Sequence, residues 1–296
     1  MNQVASEATA TSYGKINVAL RAGPVDAHGY HPLRTVFAAV SLPERVHVRA
    51  SDRLQIEVVN DPHGVVPRDE TNLAAAAARL MADRVGRDPL VEITIDKTVP
   101  VAGGMGGGSA DAAATLLALN ELWGMGLHRR QLAAMARPLG ADVPFAVVGG
   151  TALGTGRGDH VLPIATSRSL PIALALQDDG ISTARVYQLY DELHPGAIDP
   201  HADDDLVAGL ESGDLERVGR NMVNDLEPVA FAVMPRLQQI RDAALREGAL
   251  GAVVTGSGPT VAALGADDDH ARRIAAAWGA QGLCARAVAV RSVPAE

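Results

Sequence analysis

Glycine dominates one short segment of this 296-residue chain. Five of the six positions from 103 to 108 are glycine, and Met105 is the exception. Because glycine lacks a Cβ, consecutive backbone N–H groups can approach a bound anion closely. A stretch at 90–98 with alternating apolar residues precedes the segment, and an alanine-rich stretch at 109–122 follows it. This order of strand, glycine-rich loop and helix N-terminus predicts a cradle for a polyphosphate, with a flexible surface loop as the alternative.

Two familiar phosphate-binding motifs do not fit this loop. A Walker A motif ends in Gly-Lys-Ser/Thr, and no lysine follows these glycines. The dinucleotide fingerprint needs glycines at i, i+2 and i+5, but from Gly104 the last place is Ser109, and from Gly106 it is Asp111. The His-Arg-Asp and Asp-Phe-Gly motifs of protein kinases are also absent from the sequence. The loop therefore belongs to another kind of phosphate site.

Lys15 and Asp142 are charged residues whose roles their types and spacing leave open. Phosphoryl transfer onto a hydroxyl group would need a cation near the transferred group and a residue that orients the acceptor. Asp142 lies in an apolar segment, where an unpaired carboxylate is costly. Asn17 follows Lys15 by two positions, so on a strand both side chains share one face. A surface lysine, and a helix cap or structural ion pair for Asp142, are the alternatives.

Composition excludes several classes of protein. With 47% hydrophobic and 21% charged residues, the chain can bury one large core or two smaller ones. The net charge of −9 argues against a general nucleic-acid or anionic-membrane surface. The start lacks the basic and apolar regions of a secretory signal, and the single Cys284 cannot form an internal disulfide. These features predict a cytoplasmic protein, whose uncharged run at 248–266 is a strand, a glycine turn and a second strand.

The elements that must position these residues follow from hydrophobic periodicity and turn signals. Strands are predicted at 13–21, 34–50, 54–60, 90–98, 171–176, 252–254, 261–264 and 284–290. Helices are predicted at 71–85, 109–122, 131–138, 183–193, 206–210, 215–221, 234–247 and 268–278. The fold class is therefore mixed α/β, or α+β, in two domains. We expect a polar N-terminal extension at 1–10, an N-terminal domain at 11–167 and a C-terminal α+β domain at 168–296.

Three segments together resemble the signature motifs of the GHMP kinases, the superfamily of galactokinase, homoserine kinase, mevalonate kinase and phosphomevalonate kinase. They are residues 99–113, 13–20 and 255–261. The motifs at 14–17, 29–33 and 140–145 are most similar to family members that act on a cytidine diphosphate derivative of methylerythritol. Ala102 and Ala110 depart from the pattern, because the family more often has Gly and Ser there. The resemblance implies two domains with a ligand cleft between them.

The resemblance also implies which residues contact the nucleotide. The expected set is Asn72, Lys97, Pro100, Ala102, Gly103, Gly104, Met105, Gly106, Gly107, Gly108 and Ser109. ATP is the implied phosphoryl donor, and Mg²⁺ is implied by phosphoryl transfer rather than by any ligand cluster in the sequence. An ordinary helix N-cap is the alternative for Asn72.

The acceptor side carries its own implied set. Asp142 is the implied general base, and Lys15 keeps it ionised and touches the γ-phosphate. The expected substrate contacts are Asn17, Tyr30, His31, Phe37, Thr183, Tyr187, Gly256, Ser257 and Gly258. Tyr30 is expected to stack on cytosine and His31 to hydrogen-bond it. Core packing is the alternative for Phe37 and Tyr187, and a tight turn explains the glycines at 256 and 258 equally well.

These expectations combine into one function. The resemblance implies transfer of the γ-phosphoryl group of ATP to the 2-hydroxyl of the cytidylyl substrate, in the non-mevalonate route to isoprenoid precursors. Another GHMP kinase, for homoserine or a mevalonate-type substrate, is the nearest alternative, and a non-catalytic nucleotide sensor on this fold is another. Only a small-molecule partner is implied, and the sequence indicates neither an oligomeric state nor metal ligands.

Overall fold

The computed structural model describes residues 6–61, 64–193, 198–199 and 201–295. Within these ranges the chain forms eleven strands: β1 (Glu7–Ala22), β2 (Leu33–Ala50), β3 (Gln55–Val59), β4 (Val91–Asp96), β5 (Thr151–Gly156), β6 (His160–Pro163), β7 (Pro171–Leu176), β8 (Val223–Asn224), β9 (Gly251–Val254), β10 (Val261–Leu264) and β11 (Arg286–Arg291). The same ranges contain ten α-helices: α1 (Leu73–Val85), α2 (Gly107–Leu122), α3 (Arg129–Ala136), α4 (Val143–Val148), α5 (Thr183–Leu193), α6 (Asp204–Ser212), α7 (Leu215–Arg220), α8 (Glu227–Val233), α9 (Arg236–Arg246) and α10 (Asp268–Ala280). A short 3₁₀ helix spans Arg137–Leu139.

The chain divides into two compact units. The first contains the chain up to Gly14, Leu42–Val101 and Gly106–Gly149. The second contains Lys15–Ser41, Ala102–Met105 and the chain from Gly150 onward. The unit boundary thus falls inside β1, inside β2 and inside the glycine loop. The units are not contiguous in sequence and differ from the domain bounds expected near residue 167, because long strands carry the chain from one unit to the other.

The first unit packs helices on a small mixed sheet. In this unit β3 runs parallel to β4, and β4 pairs antiparallel with the second half of β2. Asn72 caps α1, and Gly86 ends it in a left-handed conformation that L side chains disfavour. The alanine-rich α1 and α2 pack closely, and their small side chains fill a core with Val46, Ile93 and Leu116. The small alanine side chains therefore allow these two helices to pack closely.

The second unit contains a four-stranded antiparallel sheet in the order β11-β7-β10-β9. Its strand β7 lies between two others and is buried along its whole length. Helices α9 and α10 cover the sheet through a core that includes Ile240, Ile274 and Trp278. In the same unit, the first half of β2 pairs with β5, and the end of β1 pairs with β8.

Most predicted elements are confirmed. The strand and helix bounds at 171–176, 183–193 and 261–264 coincide with the prediction, and the run at 248–266 contains β9 and β10 as expected. Five short elements were not predicted: α4, β5, β6, β8 and α8. Two of them, β5 and β6, lie in or beside glycine-rich sequence and are formed by pairing, β5 with β2 and β6 with β5. Of the extension expected at 1–10, residues 1–5 lie outside the described ranges, and residues 7–10 belong to β1.

No helix among the described residues is long and apolar enough to cross a membrane.

Candidate active site

The glycine loop leads directly into α2, as predicted. The helix begins at Gly107, two residues earlier than expected, so Gly107, Gly108 and the half-buried Ser109 form its first turn. Gly106 occupies the N-cap in a left-handed conformation, and it has no side chain to bond the first amides. The N–H groups at the start of α2 therefore lack a side-chain cap. Uncapped amides at the positive end of a helix dipole suit an anion.

Gly104 approaches other backbone closely within the second unit. It has a φ of +74°, and a Cβ there would lie 2.7 Å from the carbonyl oxygen of Thr255 and 2.8 Å from that of Gly258. Met105 is fully buried, and its carbonyl accepts a hydrogen bond from the Lys15 amide at 2.9 Å. These residues therefore fix the backbone of the loop. The exposed Ala102 also adopts a positive φ of 56° although it is not glycine.

Lys97 lies in a buried cluster of charges. Its ammonium lies 2.8 Å from Asp111 Oδ2 and 3.2 Å from Glu44 Oε1. Glu44 also accepts hydrogen bonds from the amides of Thr98 and Val99. Burial raises the pKa of Glu44 to about 7, although Lys97 opposes this effect. The contact of Lys97 with adenine stays a prediction, and its partners among the described residues are carboxylates.

Asn72 caps α1, so its alternative interpretation is confirmed. The side-chain oxygen accepts from the amide of Ala74 at 2.8 Å, and the side-chain nitrogen donates to the carbonyl of Pro67 at 2.6 Å. Both ends of the amide are thus engaged in the fold. Pro100, at the entry to the loop, is half-buried. A nucleotide contact at either residue stays a prediction.

Lys15 and Asn17 share one face of β1, as their spacing predicts. The ammonium of Lys15 donates to Asn17 Oδ1 at 2.8 Å. Asn17 Nδ2 donates to the hydroxyl of Thr35 at 2.8 Å, and Thr35 in turn donates to a backbone carbonyl. The amide of Asn17 donates to Thr255 Oγ1 at 2.9 Å. Lys15 therefore belongs to one buried network of four polar side chains.

Phe37 packs beside this network. Its side chain is 2% exposed, and the Lys15 ammonium lies 5.6 Å from the ring centroid. A Cβ at Gly154 would lie 2.6 Å from the ring, so the ring packs against that glycine. This burial favours the packing alternative for Phe37 over contact with a base.

Asn224 anchors the turn at 256–258 through hydrogen bonds to backbone carbonyls. The buried side-chain nitrogen of Asn224 donates to the carbonyls of Val254 and Gly256, both at 2.7 Å. Gly256 and Gly258 both have positive φ, as the tight-turn interpretation requires. Ser257 shares a hydrogen bond of 2.9 Å with Thr183 at the start of α5. The structure thus brings together two residues that were expected to contact the substrate.

Tyr30 is presented by a turn at 26–30. Asp26 Oδ1 accepts from the amides of His28 and Tyr30, and these bonds lower the pKa of Asp26. The Tyr30 side chain is 51% exposed, and the guanidinium of Arg157 lies 4.9 Å from its ring centroid. An exposed ring with a cation on it is a surface on which a planar base can stack.

His31, the residue after that turn, packs in a cluster with two tyrosine rings. Its Nδ1–H donates to the carbonyl of Gly23 at 2.8 Å, and Nε2 lies 3.4 Å from Asp191. The ring stacks on Tyr187 at 4.8 Å between centroids and meets the edge of Tyr190 at 5.9 Å. Tyr187 therefore contacts His31, and cytosine binding at both residues stays a prediction.

Asp142 occupies the N-cap position of α4 in the first unit. Its side chain makes no capping hydrogen bond, although its backbone carbonyl accepts the first bond of the helix from Ala146. Asp142 therefore takes the helix-cap position of its alternative interpretation, without a side-chain capping bond. The residue is half-buried, and the following Pro144 suits the first turn of a helix.

No group of three or more His, Cys, Asp or Glu side chains that could hold a metal ion occurs among the residues that the structure describes. A magnesium ion bound mainly through nucleotide phosphates does not need such a group.

Comparison with known proteins identifies the family. The N-terminal domain of GHMP kinases matches residues 72–150, and the C-terminal domain of GHMP kinases matches residues 206–283. A curated relative from Thermobifida fusca (strain YX) is 46% identical over 93% of this chain and 92% of its own length. The chain belongs to the GHMP kinase family. The resemblance drawn from the sequence motifs is confirmed, and with it the expectation of an enzyme of the kinase class.

The relatives have specific names. The Thermobifida protein and a relative from Mycolicibacterium gilvum (strain PYR-GCK), 45% identical over 96% of this GHMP kinase and 89% of the relative, are both named 4-diphosphocytidyl-2-C-methyl-D-erythritol kinase. A crystal structure of 4-(cytidine 5'-diphospho)-2C-methyl-D-erythritol kinase matches with a TM-score of 0.79 and 32% identity, over 96% of this chain and 99% of that one. A homoserine kinase from Cytophaga hutchinsonii has a TM-score of 0.80, over 100% of this chain and 97% of that one, but 22% identity, which shows the shared fold alone. Membership of the family implies ATP as co-substrate.

Sequence reasoning missed several residues of this GHMP kinase that hold the predicted ones in place. They are Thr35, Glu44, Arg157, Tyr190, Asp191 and Asn224. A signal existed for Glu44, because alternation along β2 places it on the buried face with Leu42, Val46 and Val48. The others contact their partners across long sequence separations, which local patterns do not report.

Proposed function

We propose that this GHMP kinase transfers the γ-phosphoryl group of ATP to the 2-hydroxyl of 4-diphosphocytidyl-2-C-methyl-D-erythritol. The observation that carries the proposal is the similarity, at 43–46% identity over at least 93% of the chain, to curated enzymes with that name. The exposed ring of Tyr30, with Arg157 on it, supports a base-containing acceptor. Homoserine and mevalonate have no base to stack on such a ring.

The donor site of this proposal is the glycine loop. The uncapped amides at the start of α2 bind the ATP phosphates, and Mg²⁺ accompanies the nucleotide and neutralises part of its charge. The positive φ values at Gly104 and Gly106 give the backbone the shape that such binding requires. Met105 serves by fixing that backbone rather than by side-chain chemistry.

The acceptor side divides the chemistry between two residues. Asp142 accepts the hydroxyl proton as general base. Lys15 contacts the γ-phosphate, where its charge stabilises the transition state. Asn17 holds the ammonium through a buried hydrogen bond, so less side-chain entropy is lost when the substrate binds.

A panel of acceptors tests the proposal. The purified enzyme is incubated with ATP, Mg²⁺ and one of three acceptors, the cytidylyl substrate, homoserine or mevalonate, and ADP is measured. We expect ADP release only with the cytidylyl substrate. Turnover of homoserine or mevalonate alone would contradict the proposed acceptor, and ATP binding without turnover of any acceptor would favour a nucleotide sensor.

A further inference from the structure

Three charged side chains are buried together in the first unit. Glu44, Asp111 and Lys97 are 0%, 2% and 8% exposed. The single ammonium of Lys97 lies 2.8 Å from Asp111 and 3.2 Å from Glu44. We call these residues the buried triad. It contains two carboxylates and one cation, so it carries a net charge of −1 when every group is ionised.

A net charge in a buried cluster is costly unless a proton neutralises it. Asp111 Oδ1 is buried and has no hydrogen-bond donor among the residues that the structure describes. The Glu44 carboxyl lies beside it, so a proton on Glu44 would provide that donor. Burial raises the pKa of Glu44 to about 7, with the charge of Asp111 acting in the same direction and Lys97 opposing it. The triad is therefore poised to gain or lose one proton near neutral pH.

The triad connects the two ends of the glycine loop. Glu44 accepts from the amide of Val99 at 2.6 Å, just before the loop. Asp111 lies in α2, just after it. The ammonium of Lys97 packs against Gly107, the first residue of α2, where a Cβ would come within 2.9 Å of Nζ. The cation thus lies at the helix end that is proposed to bind phosphates.

We propose that Glu44 is a positioning residue of the nucleotide site, which holds Lys97 against the first turn of α2 and, through its own proton, sets the affinity for ATP. This inference rests on the proposed role of the glycine loop. Glu44 lies on β2, and two charged groups from neighbouring segments affect its pKa. They are Lys97, just after β4, and Asp111 on α2.

The direction of the effect follows from charge. With Glu44 protonated, the triad is neutral and the ammonium reinforces the anion site. When Glu44 loses its proton, a negative charge appears beside the bound triphosphate. We expect ATP affinity to fall by roughly three- to tenfold between pH 6 and pH 8, the size of effect that one unit charge exerts over a short distance in a partly screened site.

Binding measurements without acceptor test this inference. Calorimetry gives the Kd of ATP with Mg²⁺ at pH 6, 7 and 8 for the wild type, for Glu44→Gln and for Glu92→Gln. The glutamine side chain of the first variant keeps the shape of the protonated carboxyl and cannot ionise. Glu92→Gln removes a carboxylate that pairs with Arg49 on the same two strands, outside the triad, and serves as the matched control. The titration of ATP itself is common to all three proteins, so only differences between them count.

We expect the Kd of Glu44→Gln to equal the wild-type value at pH 6 and to stay there at pH 8, once the titration of ATP is subtracted. The control should follow the wild type. A pH dependence that is the same in the wild type and in Glu44→Gln would overturn the inference. If Glu44→Gln does not fold, Asp111→Asn removes the same negative charge and is expected to abolish the pH dependence too. Absence of ATP binding by the wild type at every pH would instead contradict the proposed function.

Discussion

The ammonium of Lys15 is hydrogen-bonded to Asn17 Oδ1 at 2.8 Å on the same face of β1. Asn17 is fixed in turn by Thr35 on β2 and by Thr255, 238 residues away in sequence. The side-chain amide that was expected to bind the acceptor therefore also orients the lysine. Its position makes Asn17 the link between Lys15 and Thr255, which precedes the turn at 256–258.

We expect Asn17→Ala to lower kcat by at least about tenfold, because the loss of one oriented electrostatic contact in the transition state costs on the order of 2 kcal/mol. The Kd of ATP should change less than about twofold. Steady-state kinetics and calorimetry measure the two quantities. Asn221→Ala, which removes a side chain bonded to Asp205 near the end of α7, is the control and should leave kcat unchanged. An equal loss in both variants would contradict the role of Asn17.

Asp142→Asn should lower kcat by roughly two to four orders of magnitude, the range typical of a lost general base. The Kd of ATP should stay close to the wild-type value, because the substitution keeps the side-chain shape and α4 loses no side-chain cap. Single-turnover kinetics with the cytidylyl substrate measures the chemical step directly. Near-normal turnover would remove Asp142 from the mechanism.

Tyr30→Ala should raise KM for the cytidylyl substrate about tenfold or more, with a smaller change in kcat. A stacked base contributes roughly 1–3 kcal/mol to binding, and the exposed ring of Tyr30 is the surface available to it. Tyr30→Phe keeps the ring and should behave like the wild type. If both variants behave alike, stacking is not the role of Tyr30.

Gly104→Ala should weaken ATP binding and destabilise the fold. A Cβ there would lie 2.7 Å from a backbone carbonyl oxygen, which cannot move as a flexible side chain would. Gly282→Ala is a matched control, because Gly282 has a similar positive φ but nothing lies within 4 Å of its Cβ position. We expect the control to lose about 1 kcal/mol from left-handed strain alone and Gly104→Ala to lose clearly more in urea unfolding. Equal losses would contradict the close approach.

The buried Glu44 makes stability depend on pH. Its pKa is about 7 in the folded protein, above the ordinary value of 4.5, so the folded state retains a proton that the unfolded state has released. This group's contribution therefore falls as pH rises from about 4.5 to about 7 and is constant above that. Between about pH 4.5 and pH 7, the free energy of unfolding of the wild type should therefore fall by on the order of 1–3 kcal/mol relative to that of Glu44→Gln.

Urea unfolding at pH 5 and pH 7.5 measures the effect as the difference between the wild type and Glu44→Gln. Backbone hydrogen bonds lower the pKa values of other carboxylates, such as Asp26 and Asp61. The contribution of these groups to stability is lost in the opposite direction, as the pH falls. They are present in both proteins and cancel in the difference. Identical pH profiles would show that Glu44 is already ionised in the folded protein at pH 5.

Local sequence patterns were enough to predict the family and most of the elements. The motifs around Lys15, Gly106 and Asp142 are local, and local backbone geometry decides what they form: a strand, a glycine loop before a helix, and a helix start. The capping role of Asn72 was likewise accessible, because an N-cap bonds to residues only two or three positions away.

The partners of those residues depend on how distant segments pack. Glu44, Lys97 and Asp111 are separated by 53 and 14 positions in the chain, and pairing of β2 with β4 and packing of α2 bring them together. The burial of Phe37 and the hydrogen bond between Asn17 and Thr255 also depend on the packing of segments that are distant in sequence. Local propensity fixes the type of an element, whereas burial, and with it the protonation of a carboxyl, depends on segments that are distant in sequence.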